Sequence, residues 1–241
     1  MTAEQFVVFL DILGFKERVF RNSHNDIEKE LRELNEDIIQ LVNNCDGNQV
    51  ARVENLEKGQ AKRSIDDLDD TPIKLAQFSD SIVLFSNDVT GESLNRIAQV
   101  ASQIMQSSLS KGYPLKGALA QGILTNDSKK HLFFGRALID AYLLEEEIHY
   151  YGIAVHHSAE KSVQEYGNKN LFCDNTLFFK TGMIGHYEVC WYKDEKVSDS
   201  IGAYLNKIRF SVSGQPRKYI DNTLSLIQKE NVDNNKTLNE K

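Results

Sequence analysis

Two short apolar segments, each associated with an aspartate, constrain the fold of this chain more than any other feature. Phe6–Leu10 reads FVVFL and is followed at once by Asp11, while 73–86 reads IKLAQF-SDS-IVLFS with Asp80 at its centre. A continuous β-rich apolar run is typical of a strand that is covered on both faces. Two such runs around three residues predict a hairpin. The sequence therefore predicts a sheet with two carboxylates at the ends of its strands.

Amphipathic helices and further strands account for most of the remaining chain. Apolar residues recur at steps of three and four over 26–44 and 93–110, which predicts two long helices. Further helices are predicted over 135–147, 159–166, 200–210 and 219–229, and further strands over 115–124 and 153–155, followed by a hairpin over 171–192. This order predicts an α+β fold with a ferredoxin-like core, in which helices pack mainly on one face of a mainly antiparallel sheet.

Polar stretches separate or follow these elements. Residues 45–72 are polar and end at Pro72, so we expect a surface excursion with a short strand at 49–54. Residues 231–241 are polar enough to be disordered. Glu145–Glu147, at the end of the helix predicted over 135–147, are expected to form an exposed helix face.

Composition argues against several classes of function. The 241 residues carry a net charge of −7, so we expect no nucleic-acid partner, because phosphate neutralisation needs a basic face. The apolar run at the N-terminus is interrupted by Asp11, lacks a basic leader and falls short of the roughly 20 residues that span a bilayer. Cys45, Cys173 and Cys190 suggest no disulfide framework or zinc pattern. We therefore expect a cytoplasmic protein in a reducing compartment, with no membrane contact.

Asp11 and Asp80 are the most informative polar residues, because each stands beside apolar strands. In a ferredoxin-like sheet these strands are neighbours, which would place both carboxylates at one edge. Two close carboxylates repel, and a divalent cation such as Mg²⁺ removes that cost. The alternative is that Asp11 caps the next helix and Asp80 is an ordinary turn residue. Gly14 adds a turn whose backbone N–H groups suit an anion.

Five segments resemble class III nucleotidyl cyclases in their residues and their order. They are FVVFLDILGF, QFSDSIVLF, KGALAQG, FGRALIDAYLLEEE and LFFKTGMIGHYEV, which together span roughly 5–193. The two aspartate motifs are the specific part, and they are most similar to the pyrimidine cyclases of bacterial Pycsar antiphage systems. The resemblance implies a cyclase homology domain over 1–193, followed by a C-terminal helical extension over 194–241 with a disordered tail.

The resemblance also implies roles for individual residues. Two divalent metal ions, Mn²⁺ or Mg²⁺, would be held by Asp11, Asp80 and the backbone carbonyl of Ile12, with both aspartates catalytic. Lys116 stands where the family commonly carries an arginine that contacts the triphosphate, and it keeps the charge without the bidentate fork. The remaining candidates for nucleotide binding are Leu13, Gly14, Phe15, Ser79, Arg136 and Lys180. For Arg136 and Lys180, the alternative is that each is an ordinary solvent-exposed residue with no role in nucleotide binding.

Four positions depart from the family's pattern. Ala76 and Leu132 replace residues that help to select a purine. Ile139 and Leu143 replace the helix asparagine and arginine that serve the transition state. Either the substrate is a pyrimidine triphosphate that other side chains recognise, or catalysis has been lost.

The resemblance implies a cyclase that converts UTP or CTP to the 3′,5′-cyclic nucleotide and pyrophosphate. It further implies a homodimer with active sites at its interface, and a separate effector protein that the cyclic nucleotide activates during phage infection. The alternative is a catalytically silent cyclase-like domain that binds a nucleotide or a partner protein. Another palm-type nucleotidyl transferase would share the carboxylate pair, but the Gly-Gly-Asp-Glu-Phe-like motif of diguanylate cyclases is absent from the sequence.

Overall fold

A computed structural model describes residues 2–45, 72–127, 130 and 132–239. Its strands are β1 (Thr2–Ile12), β2 (Ile73–Phe78), β3 (Ser81–Ser86), β4 (Leu115–Asp127), β5 (Leu132–Gly135), β6 (Ile153–Val155), β7 (Phe172–Phe179) and β8 (Gly182–Val189). They form one sheet in the order β2-β3-β1-β4-β6-β8-β7, and β5 pairs with the end of β4. Pairing is antiparallel except between β4 and β6, so the predicted mainly antiparallel sheet is confirmed.

Helices connect and cover these strands in the described part of the chain. Their bounds are α1 (Phe15–Arg21), α2 (His24–Asn44), α3 (Gly91–Ser110), α4 (Arg136–Glu147), α5 (His157–Tyr166), α6 (Glu195–Arg209) and α7 (Gln215–Asn239). Ser23 and Thr90 cap α2 and α3, because their hydroxyls accept hydrogen bonds from backbone N–H groups of the first turn. None of the described helices is long and apolar enough to cross a membrane.

The two faces of the sheet carry cores of different size. Successive side chains of a strand point to opposite faces. Val8 and Leu10 of β1 join the larger core, to which α2, α3, α5, α6 and α7 also contribute. Val7 and Phe9 contact a smaller core that, among the described helices, is built on α4. Asp11 continues the alternation of Val7 and Phe9, so it belongs to the face that α4 covers.

The structure corrects some local expectations around the sheet. The β2–β3 turn contains two residues, Ser79 and Asp80, rather than three, because Ser81 already pairs with Phe78. The short strand β5 was not predicted, since its four residues lead directly into α4 and carry no separate pattern. The strand predicted at 49–54 lies outside the described residues.

The C-terminal extension consists of α6 and α7, and its last residues differ from expectation. We expected disorder from residue 231, but α7 continues to Asn239. Ile220, Leu224 and Ile227 of α7 are buried in the larger core, and an established helix extends at little further cost. The extension therefore shares one core with the sheet.

Two cysteines are joined, contrary to the expectation from the sequence. Cys173 lies near the start of β7 and Cys190 directly follows β8, and the two form a disulfide with Cα atoms 5.7 Å apart. The two cysteines are 17 positions apart, and no motif in the sequence indicated that they pair. The β7–β8 hairpin folds the chain back, so that the Cys190 N–H donates a 2.8 Å hydrogen bond to the carbonyl of Leu171.

Candidate active site

Asp11 and Asp80 lie at the same edge of the sheet. Asp11 is the penultimate residue of β1 and pairs in register with Ser81, the first residue of β3. Asp80 directly precedes Ser81, and its backbone carbonyl accepts a 3.1 Å hydrogen bond from the Ile12 N–H. The antiparallel pairing of β1 with β3 therefore brings the two aspartates together.

The electrostatics of Asp11 reflect this position. The pKa of its carboxyl is raised from 3.8 to about 6, first by burial and then by the negative charge of Asp80, while the positive charge of Lys116 opposes both. Burial and a like charge each disfavour the ionised form. A bound cation would act in the opposite direction, because it favours the carboxylate.

A pocket of about 230 Å³ opens beside Asp11, between the sheet and the C-terminal end of α4. It unites three residues that the sequence singled out, namely Asp11, Lys116 and Lys180. Its lining is completed by Phe9, Ser81, Tyr142, Glu145 and Glu146. Two ammonium groups beside a carboxylate edge suit a ligand that carries several anionic oxygens and shares a metal ion with the protein.

Lys116 is a buried cation in this pocket. It lies directly opposite Asp11 in the β1–β4 register and is only 7% exposed. Its Nζ is 2.9 Å from Oε1 of Glu145 and also donates a 2.9 Å hydrogen bond to the backbone carbonyl of that residue. Burial raises the pKa of the Glu145 carboxyl to about 7, although the charge of Lys116 opposes the rise.

The buried position of Glu145 corrects the expectation of an exposed helix face. Glu145 is 3% exposed, whereas Glu146 and Glu147 are exposed as predicted. Ala137, Ala141 and Glu145 recur every four residues and are the buried residues of α4. That stripe is visible in the sequence. A glutamate at the same four-residue spacing as two buried alanines indicates that its side chain is also buried and that a positively charged residue lies beside it.

The turn after β1 has the glycine conformation that the sequence led us to expect. Gly14 has a φ of 77°, a left-handed conformation that favours glycine. Phe15 begins α1, which has seven residues. The Leu13 N–H donates a 2.9 Å hydrogen bond to the carbonyl of Pro114. Of the three expected phosphate-binding residues, Leu13 therefore has its amide committed to the fold.

Two further sequence candidates lie away from the pocket. Arg136 begins α4, nine residues before Glu145, which is about 14 Å along a helix axis. Its side chain is 78% exposed and pairs with Asp140 at 3.4 Å. Ser79 is exposed in the β2–β3 turn with a φ of 56° and borders a shallow groove against α2.

The positions that depart from the cyclase pattern are mostly exposed and apolar. Ile139 and Leu143 are 56% and 52% exposed on α4. Ala76 of β2 packs against the smaller core. Leu132 of β5 is exposed as well, but it alternates with Phe133, which packs against the smaller core, so it points to the face opposite α4. Helix α4 therefore exposes apolar side chains, which we call the α4 surface and define by Ile139 and Leu143.

The C-terminal extension supports the segment that follows the pocket. The Tyr219 hydroxyl of α7 donates a 3.1 Å hydrogen bond to the carbonyl of Ile148, and the Asn222 amide donates a 2.7 Å bond to the carbonyl of His149. Both acceptors lie within four residues of Glu145. These contacts could not be predicted from the sequence, because they join residues more than 70 positions apart.

The structure is similar to solved nucleotidyl cyclase domains. The guanylate cyclase domain of RhGC from Catenaria anguillulae is 14% identical, with a TM-score of 0.53 over 78% of this chain and 97% of that chain. A dimeric guanylyl cyclase domain of the RhoGC fusion protein from the aquatic fungus Blastocladiella emersonii gives 14% identity and a TM-score of 0.55, with the same coverage. A bacterial light-regulated adenylyl cyclase is 14% identical, with a TM-score of 0.50 over 83% of this chain and 97% of that chain.

These similarities define the fold. The chain has the α+β fold of class III adenylyl and guanylyl cyclase domains, which confirms the fold class expected from the sequence. No protein-family model and no curated protein matches the sequence.

Proposed function

We propose that the chain is a metal-dependent nucleotidyl cyclase that converts UTP or CTP to the 3′,5′-cyclic nucleotide and pyrophosphate. The observation that carries this proposal is the meeting of Asp11 and Asp80 beside a pocket that contains Lys116 and Lys180. The fold adds support, since similar cyclase domains are described in complexes with GTP and with ATPαS. In the reaction, the ribose 3′-oxygen bonds to the α-phosphorus, the bond to the β-phosphate oxygen breaks, and the hydroxyl proton is released.

Two Mn²⁺ or Mg²⁺ ions fit the donor set at this edge. Asp11, Asp80 and the carbonyl of Ile12 offer hard oxygen ligands, which these ions prefer. The raised pKa of Asp11 supports the fit, because it shows that the surrounding protein groups do not fully stabilise the carboxylate. When bound, such ions lower the pKa of the attacking hydroxyl and stabilise the charge of the departing pyrophosphate.

The protein's own residues bind and orient the triphosphate. Lys116 and Lys180 act as point charges for its oxygens from two sides of the pocket. The backbone of Gly14 and Phe15 turns beside Asp11 and contributes amide donors. Ser79 flanks Asp80 in its turn but borders the groove against α2, so this proposal gives it no contact with the triphosphate in the pocket.

A homodimer completes the site in this proposal. A pocket of about 230 Å³ is smaller than the roughly 300–1,000 Å³ typical of sites that enclose a whole ligand, so a second copy would enclose the rest of the nucleotide. The α4 surface is suited to that contact, because Ile139 and Leu143 expose large apolar side chains one helical turn apart. Arg136, exposed at the start of α4, is then directed to the nucleotide bound by the second copy.

The pyrimidine specificity rests on the sequence resemblance. Ala76 and Leu132 lack the polar groups with which purine cyclases bind the base of their substrate. Their side chains therefore favour a pyrimidine, which is smaller and would be recognised by other residues. By the same resemblance we propose a cytoplasmic role in antiphage defence. The cyclic nucleotide would activate a separate effector protein.

The test is a product assay with purified protein, Mn²⁺ or Mg²⁺ and each of the four nucleoside triphosphates. We expect cyclic UMP or cyclic CMP and equimolar pyrophosphate, identified by liquid chromatography and mass spectrometry. Asp11→Asn and Asp80→Asn should each lower turnover on the order of a thousandfold, because several kcal/mol of transition-state stabilisation would be lost. Asp174→Asn, a matched change at an exposed position on β7, should be neutral. A folded parent that forms no cyclic product would refute the proposal.

A catalytically silent nucleotide-binding or interaction domain is the second candidate. Ile139 and Leu143 favour it, because they place apolar side chains where the family carries groups that stabilise the transition state. The same assay separates the two functions. Calorimetric binding of UTP or CTP by a folded parent that never turns it over would support the silent domain.

A further inference from the structure

We propose that Glu145 is a positioning residue that holds the Lys116 ammonium in place for the triphosphate. The inference rests on the proposed cyclase function and deepens it. Glu145 lies in the segment FGRALIDAYLLEEE, but the cyclase resemblance assigns it no role at the site. It becomes visible only in the structure, where it lies in the same pocket as Asp11 and both lysines.

The geometry fixes the ammonium group at two points. Glu145 offers Oε1 at 2.9 Å and its backbone carbonyl oxygen at 2.9 Å, so one residue at the end of α4 engages Lys116 twice. An ammonium group has three N–H donors. One of them bonds the Glu145 carbonyl, while Oε1 of Glu145 holds the charge as an ion pair without hydrogen-bond geometry. The ammonium therefore keeps N–H donors for an anionic oxygen of a ligand in the pocket.

The position of Glu145 is costly for a residue with only a structural role. A carboxylate in the last turn of a helix is disfavoured by the negative end of the helix dipole, and Glu145 is also buried. Ala137 and Ala141 fill the two preceding positions of the same stripe, so an alanine would continue it without charge. Buried ion pairs are weak contributors to stability. The buried carboxylate of Glu145 is therefore better explained by a role in orienting Lys116 than by a contribution to folding.

Fixing Lys116 in advance has a catalytic consequence. A lysine side chain loses considerable rotamer freedom when it is held in one geometry, and Lys116 is already held before substrate binds. Lys180 is exposed at the tip of the β7–β8 hairpin and must be ordered by the ligand. Lys116 would therefore define where the triphosphate lies, while Lys180 adapts to it.

The first test measures kcat and KM of Glu145→Gln with the preferred triphosphate and Mn²⁺. We expect kcat to fall about tenfold while KM changes less than threefold, because the change misplaces Lys116 but leaves both lysine charges in the pocket. The matched control is Glu147→Gln, which removes the same charge from an exposed position two residues away. A kcat for Glu145→Gln within twofold of the parent would overturn the inference.

A double-mutant cycle separates positioning from a direct or purely structural role. Lys116→Met removes the ammonium and keeps the length of the chain. If Glu145 acts through Lys116, adding Glu145→Gln to Lys116→Met should change kcat by less than twofold. A further tenfold loss would show that Glu145 acts independently of Lys116 and would contradict the proposal. Circular dichroism and thermal unfolding establish that each variant is folded.

Glu145→Asp keeps the test decisive if the glutamine variant does not fold. Aspartate retains the charge but withdraws it by one methylene, so we expect kcat of Glu145→Asp to be about threefold below that of the parent. Where Glu145→Gln also folds, kcat of Glu145→Asp should lie between the values of the parent and of Glu145→Gln. A parent that is inactive with all four triphosphates would refute the proposed function and, with it, this role. An active parent with an unaffected Glu145→Asp and Glu145→Gln would refute the role of Glu145 alone.

Discussion

The two faces of the sheet differ in what their buried residues do. On one face, α2, α3, α5, α6 and α7 pack apolar side chains into the larger core. On the other face, α4 packs on a smaller core beside a pocket of charged residues that includes Asp11, Lys116 and Glu145. The first face carries most of the buried apolar area, and the second carries the groups that could perform chemistry.

This division explains how the protein tolerates charges that are poorly stabilised. Glu145 is almost fully buried and Asp11 partly so, and burial raises the pKa of both carboxyl groups. Such groups reduce stability unless a partner or ligand compensates for them. The larger core on the opposite face supplies stability that does not depend on the pocket. Variants on the two faces should therefore separate folding from function.

A cavity in the larger core should have the largest effect on folding. Ile104 of α3 is fully buried, so Ile104→Ala should lower the free energy of unfolding by about 2–5 kcal/mol. Leu143→Ala, at an exposed position on the α4 surface, should change the stability of the monomer by less than about 0.5 kcal/mol. Urea titration of dilute monomer measures both. Equal losses for the two variants would show that the faces do not divide these roles.

The α4 surface should instead govern association. Leu143→Asp places a charge beside the exposed Ile139, and we expect the dissociation constant of a homodimer to rise on the order of a hundredfold, because an unpaired buried charge is costly. Analytical ultracentrifugation over a concentration series measures this constant. Met183→Asp, at an exposed apolar position on β8, is the control outside the surface. A dimer that is unchanged by Leu143→Asp would exclude α4 from the interface.

Local pattern made much of the fold predictable. Apolar β-rich runs and hairpin spacing located the strands other than β5, and steps of three and four located α2 and α3. The meeting of Asp11 and Asp80 followed from the neighbouring positions of their strands in the predicted sheet, and the structure places both at that edge. Asp11 and Lys116 were both identified in the sequence, yet their direct pairing across β1 and β4 emerged only from the register.

The parts that the sequence did not disclose depend on contacts between distant residues. Glu145 was expected on an exposed face, because three successive glutamates indicate solvent unless the partner Lys116 is known to lie beneath the first. The disulfide between Cys173 and Cys190 and the contact of Tyr219 with Ile148 likewise require the folded chain. The periodicity of apolar residues in the sequence predicts which side chains are buried. Which residue a buried side chain contacts is determined by tertiary packing.

The pH dependence of metal binding should give the smallest but most specific effect on the pocket face. With the pKa of Asp11 near 6, protonation should weaken Mn²⁺ binding about tenfold between pH 7.5 and pH 5, because the proton and the ion compete for the same carboxylate. Electron paramagnetic resonance of free Mn²⁺ measures the affinity. Asp174→Asn, at an exposed position on β7, should leave the pH of this loss unchanged.

Stability without metal should follow the opposite trend through the same group. The pKa of Asp11 is higher in the folded chain than its ordinary value of 3.8, so the folded state binds the proton more tightly than the unfolded state. The contribution of Asp11 to the free energy of unfolding is therefore greatest below pH 4 and declines as pH rises toward 6. Subtracting the pH profile of Asp11→Asn from that of the parent, both by urea titration with a chelator, isolates this contribution. A difference that grows in the parent's favour between pH 4 and pH 6 would mean that Asp11 is stabilised by its surroundings, and the pocket would then have no unmet need for a cation.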